Sequence, residues 1–89
     1  MKLKPDLILR RIAGEHVVIP IGDHVATFNG IISLNETASF LWQKTQSPVT
    51  REELVTSLLD EYEVDEALAR KDIDDFLLLL REHELLIED

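Results

Sequence analysis

The apolar positions fall into two regimes. Up to residue 34 they come in short runs without a helical period; beyond it they recur every three to four residues. In the first regime Leu-Ile-Leu-Arg-Arg-Ile-Ala (7–13) mixes β-branched and long side chains. Gly14-Glu15 then reads as a two-residue turn into His-Val-Val-Ile-Pro-Ile (16–21). Pro20 cannot donate a ladder hydrogen bond, so this strand ends there or lies at an edge. Gly22-Asp23 breaks the pattern before His-Val-Ala-Thr-Phe (24–28), and Asn29-Gly30 leads into Ile-Ile-Ser-Leu (31–34). Asn-Gly between two apolar runs predicts a hairpin, because both residues tolerate the positive φ of a type I′ turn.

In the second regime the spacing predicts three helices, over about 35–46, 50–62 and 65–84. Asn35 is the N-cap of the first, with Glu36 in its positively polarised first turn and Ala38, Leu41 and Trp42 at helical spacing. Thr50 and Glu53 form the S/T-x-x-E capping box of the second, whose stripe is Leu54, Val55, Leu58, Leu59 and Tyr62. Asp65 caps the third, whose core face is Ala69, Ile73, Phe76, Leu77 and Leu80. Leu-Leu-Ile (85–87) reads as a short strand or an extended tail. The pattern as a whole predicts one α+β domain over 1–89. An N-terminal antiparallel sheet of three to four strands precedes a three-helix bundle in a winged-helix-like order.

Helix three has more apolar surface than one core face uses. At 100° per residue Leu78 lies about 150°, and Leu79 about 110°, from the centre of that face. Asp72, Leu79 and His83 share one shoulder at i, i+7, i+11. Such a shoulder reads equally as a broad core face with one exposed Leu or as the wall of an apolar groove.

Charge removes several function classes. The chain carries 9 Lys+Arg and 18 Asp+Glu, a net charge of −9. Residues 1–44 sum to +1 and residues 45–89 to −10. Nucleic-acid binders place Lys and Arg against phosphate, and anionic membranes select the same residues. Helix three would be the recognition helix of a helix-turn-helix. It sets Asp65, Glu66, Asp72, Asp74, Asp75, Glu82 and Glu84 against only Arg70, Lys71 and Arg81. A DNA-binding repressor is therefore disfavoured, and no membrane partner is expected.

Candidate chemistry is sparse. There is no Cys, which removes disulfides, Cys-based metal sites and thiol catalysis. His16, His24 and His83 are scattered; His16 and His24 can approach across strands, but two His without a third ligand make a poor metal site. No phosphate-binding Gly-rich loop and no nucleophile–base–orienter set can be assembled. The longest apolar run is five residues, Phe76 to Leu80, too short to span a membrane. The N-terminus lacks the apolar region of a signal peptide. The expectation is a non-enzymatic cytoplasmic protein without metal or cofactor.

The ordered series Phe28-to-Gln43 (FNGIISLNETASFLWQ) and Thr50-to-Leu86 (TREELVTSLLDEYEVDEALARKDIDDFLLLLREHELL) resembles the PqqD family of small peptide-binding chaperones. These are similar to the RiPP recognition elements of ribosomal peptide modification. The matching features are a strand running into SLNETA, a helix ending in an aromatic residue, T-x-E-E-L, Y-x-V-D and D-I-x-x-F-L, with GEHVVIPIG fitting the second strand. One departure is Glu84, where family members commonly have Gly to end helix three.

The resemblance implies that the leader segment of a precursor peptide adds as a strand beside Gly30, Ile31, Ile32, Ser33 and Leu34. The leader would lie against helix three at about Asp72, Asp75, Phe76 and Leu79, with His83 one turn further on that shoulder. It also implies a modifying enzyme as second partner, often a radical SAM enzyme. An exposed edge offers unpaired N–H and C=O groups for affinity, and pockets for alternate guest side chains give specificity. Alternation sends one of Ile31 and Ile32 to the core and the other to the groove, without saying which. An acidic rim favours a leader carrying Lys or Arg. The same edge invites self-pairing, so a homodimer through edge strands or a domain swap is a further expectation. The alternative function is an acidic winged-helix module that binds another protein in a regulatory role.

Overall fold

The computed structural model describes residues 1–21 and 32–88. In chain order the elements are β1 (Lys2–Leu3), β2 (Leu7–Ile12), β3 (Glu15–Pro20), β4 (Ile32–Leu34), α1 (Glu36–Lys44), α2 (Arg51–Glu61), α3 (Glu66–Glu82) and β5 (Leu86–Ile87). The expected strand at 24–28, its flanking Gly22-Asp23 and Asn29-Gly30 turns, and Ile31 lie outside the described residues.

β2, β3 and β4 form an antiparallel sheet in that order. The β2–β3 ladder pairs Ile12 with Glu15, so the turn is Ala13-Gly14 rather than Gly14-Glu15. Both turn residues have positive φ, 54° and 82°, as a type I′ turn demands. Ala13 adopts this despite its Cβ, because the turn must match the twist of the strands that flank it. Leu9 opposite Val18, and Val18 opposite Ile32, place these three on one face of the sheet, against the helices.

A second, two-stranded sheet pairs β1 with β5. β1 is not visible in the hydrophobic pattern; long-range backbone bonds hold it. The Leu3 N–H donates to Thr45 O at 3.0 Å, Lys4 N–H to Leu85 O at 2.9 Å, and Val49 N–H to Met1 O at 2.9 Å. They tie the N-terminal segment to the α1–α2 connection and to the end of the chain.

The helices start where the sequence places their caps. The side chains of Asn35 and Asp65 accept from Ala38 N–H and Leu68 N–H, each at 2.8 Å. The Thr50–Glu53 capping box is complete in both directions. Each such cap contributes about 1 kcal/mol.

α3 ends in a Schellman motif. Leu85 N–H donates to Leu80 O at 2.9 Å, and Glu84 N–H to Arg81 O at 3.1 Å. Glu84 takes the left-handed position at φ 57°, a conformation that favours Gly. The helix therefore terminates in the usual geometry with an unfavourable residue. Leu80 and Leu85, both buried, supply the apolar contact that accompanies the motif.

The core is one cluster built from all three helices, the inner face of the larger sheet, and Leu3 and Leu85. Leu41, Leu54, Leu58, Ile73, Leu77 and Leu80 are its largest fully buried aliphatic side chains from the helices. Trp42 is buried with them, and its indole N–H has no partner among the described residues. Such a group costs about 1–3 kcal/mol, which the ring's apolar burial offsets. Outside the core, ion pairs link α2 to α3: Arg51 reaches Asp74 with two hydrogen bonds, 2.8 and 3.0 Å, and Arg70 reaches Glu52 likewise.

Candidate functional site

β4 is short and alternates: Ile32 and Leu34 are buried and Ser33 is exposed between them. The period-two rule thus sends Ile32 to the core. One edge of β4 pairs with β3; along the other no strand lies among the described residues. Leu34 runs directly into the N-cap Asn35. With no loop between them, the first turn of α1 must flank the end of the strand.

α3 faces this corner with Asp72, Asp75, Phe76 and Leu79, which at i, i+3, i+4 and i+7 form one stripe. Between them and the strand lies a groove of about 190 Å³, lined by Ser33, Leu34, Asn35, Thr37, Ala38, Asp72, Asp75, Phe76 and Leu79. Its floor is apolar, since Leu34 and Phe76 are 6% and 3% exposed. Leu79 is half-buried and packs against the core cluster, whereas Leu78 is 53% exposed. The shoulder of α3 is thus both things at once: Leu78 is the harmless exposed Leu, and Leu79 is groove wall.

The rim is acidic. Asp75 accepts from the Lys71 ammonium at 2.8 Å, one turn back on the same helix. That hydrogen bond is the main reason the Lys71 pKa is raised. Asp72, half-buried, forms no hydrogen bond or ion pair among the described residues.

Of the residues the sequence singles out, Ser33, Leu34, Asp72, Asp75, Phe76 and Leu79 meet around one groove. Ile32 contributes its side chain to the core instead, and Gly30 and Ile31 lie outside the described residues. His83 is the C-cap of α3; its N–H donates to Leu79 O at 3.3 Å, and the described lining ends at Leu79. Asn35, Thr37 and Ala38 line the groove without having been singled out for it. The signal for them is the loop-free junction of strand and helix.

His16, considered above as a partner for His24, has its Nε2 3.2 Å from Glu36 Oε1. His24 lies outside the described residues, among which no cluster of metal-ligating side chains occurs. A larger hollow, about 360 Å³, opens beside β1, β5 and α1, among Lys2, Lys4, Trp42, Gln46 and Ile87. It contains none of the shoulder residues.

The sequence profile of the family described as coenzyme PQQ synthesis protein D (PqqD) matches residues 15–86. The chain belongs to the PqqD family. The family match spans every element from β3 to α3 and the first residue of β5, including both walls of the groove. Two solved structures share the fold. "TbiB1 in complex with the TbiA(beta) leader peptide" superposes with a TM-score of 0.74 at 26% identity, covering 100% of both chains. "Lasso peptide synthetase B1 complexed with the leader peptide" gives 0.73 at 22% identity, covering 98% of this chain and 96% of the other. No curated protein matches the chain.

Proposed function

We propose that this PqqD-family protein is a non-catalytic chaperone that captures the leader segment of a ribosomally made precursor peptide and presents it to a modifying enzyme. The observation that carries the reading is the groove between the Asp72–Leu79 stripe of α3 and the edge of β4 along which no strand lies among the described residues. A guest strand added to that edge satisfies backbone groups on both partners, and its alternate side chains drop toward Leu34, Phe76 and Leu79. The two similar solved structures were each determined with a leader peptide, which supports this choice of guest.

The site residues assigned are Gly30, Ile31, Ile32, Ser33 and Leu34 through their backbone, and Asp72, Asp75, Phe76, Leu79 and His83 along the helix. The partner enzyme assigned is of the radical SAM type, working in the cytoplasm. In the absence of guest, the β4 edge pairs with a second copy of the chain, and the leader dissociates that dimer.

The test is an NMR titration of the labelled protein with peptides from precursors encoded beside its gene. The expected result is shifts confined to residues 30–34 and 72–83, with Kd below about 10 μM, or roughly −7 kcal/mol. No shift with any such peptide overturns the reading in favour of a protein-binding regulatory module. Co-purification with a lasso peptide synthetase component, and with no radical SAM enzyme, overturns the enzyme assignment alone.

A further inference from the structure

The stripe on α3 has an internal order. Asp72 and Asp75 form a carboxylate layer; Phe76 and Leu79, four residues later in each case, form an apolar layer. Four helical residues rise about 6 Å. In an extended guest, side chains two residues apart point the same way and lie about 6.6 Å apart. The two repeats match. A guest strand running along α3 thus sets one side chain over the apolar layer and the side chain two residues away over the carboxylates.

The carboxylate layer is short of a cation. Lys71 is the neighbouring base, and it gives its hydrogen bond to Asp75, in a pair whose members are 70% and 64% exposed. Asp72 feels the Lys71 charge, but, half-buried, it accepts no hydrogen bond among the described residues. A carboxylate in that setting gains most from a positive charge brought by the guest, and it repels an anionic one. The net charge of −9 draws cationic segments in from a distance.

We infer that the groove selects leader segments in which Lys or Arg stands two residues from an apolar side chain, with Asp72 as the residue that reads the cation. This rests on the leader-capture reading above and specifies its guest.

The test is a selection from random ten-residue peptides displayed on phage against the immobilised full chain, its Asp72→Asn variant, and Asp60→Asn as an exposed control outside the groove. The expected result is enrichment of an apolar residue and a Lys or Arg at a separation of two by the unsubstituted chain and by Asp60→Asn, and of the apolar residue alone by Asp72→Asn. Exchanging the Lys of an enriched peptide for Gln should then weaken binding to the unsubstituted chain about fivefold at low salt, and not to Asp72→Asn. Apolar peptides enriched without a cation overturn the inference and leave strand capture standing. Cation enrichment that persists in Asp72→Asn removes Asp72 from the role. A library that yields no binders to any of the three proteins overturns leader capture itself.

Discussion

The two sides of α3 treat their charges in opposite ways. Toward α2, Asp74 is gripped by Arg51, and Arg70 by Glu52 and Glu66, so each charge there has a counter-charge within 3.1 Å. Toward β4, among the described residues, Asp72 forms no ion pair, and Asp75 pairs with the exposed Lys71, whose charge Asp72 also feels. One side is closed electrostatically and holds two helices together. The other lies beside an apolar floor and an edge of β4 with no neighbouring strand among the described residues. The difference marks the β4 side as the one where the proposed leader would bring a counter-charge.

The sharpest way to separate the sides is a pair of neighbouring leucines. Leu77 is 2% exposed in the core, and Leu77→Ala should destabilise the fold by about 2–5 kcal/mol, seen as a lower denaturation midpoint. Leu79→Glu should leave a folded protein, because Leu79 is only half-buried, yet weaken leader binding by about 100-fold through an unpaired charge on the groove wall. Isothermal titration alongside chemical denaturation measures both. Equal loss of stability in the two variants would erase the distinction between core and groove.

A smaller effect is expected where α3 ends. Glu84→Gly should stabilise the fold by about 1 kcal/mol, because the left-handed φ of 57° favours glycine, and thermal denaturation reads it directly. Leader affinity should be unchanged, since the groove lining stops at Leu79.

The smallest effect concerns the closed side. Hydrogen bonds from Arg51 and Arg70 hold Asp74 and Glu52 below the ordinary carboxylate values of 3.8 and 4.5. A depressed carboxylate stabilises the fold fully above its unfolded pKa, and that contribution is lost as pH falls through the folded one. Tm should therefore decline below about pH 4.5. Asp74→Asn should flatten part of the decline, by about 2 °C or less for so exposed a pair. A variant with the same acid profile as the parent would show that the clamp contributes nothing.

Much of this architecture was legible without coordinates. Asn35, Thr50 with Glu53, and Asp65 announce the helix starts because capping is a local bond between residues three apart. The core stripe of α3 was legible for the same reason: Ile73, Phe76, Leu77 and Leu80 obey a period that any helix imposes. The ambiguity of Leu78 and Leu79 was legible too, though not its resolution. Both lie off the core face, and only the position of β4 turns one of them into a wall.

Other features were not legible. The turn falls on Ala13-Gly14, one residue earlier than Gly14-Glu15, because the ladder's register, rather than residue preference, required positive φ at an alanine. β1 and β5 are two residues each, and their pairing spans nearly the whole chain, so no local pattern could reveal it. Alternation showed that one isoleucine of the 31–32 pair must face inward; the packing of the helices against the sheet put Ile32 there.

The sequence by itself determined what depends on neighbours along the chain: the caps, the helical periods, the absence of cysteine, the uneven charge, and membership in the PqqD family. The tertiary structure alone decided what depends on neighbours in space. It set β4 beside the Asp72–Leu79 stripe, brought the first turn of α1 to the groove, gave Arg51 and Arg70 to one side of α3, and on the other left Asp72 without a hydrogen bond among the described residues. Local bonds are encoded within a few residues, whereas a groove exists only once distant segments have packed.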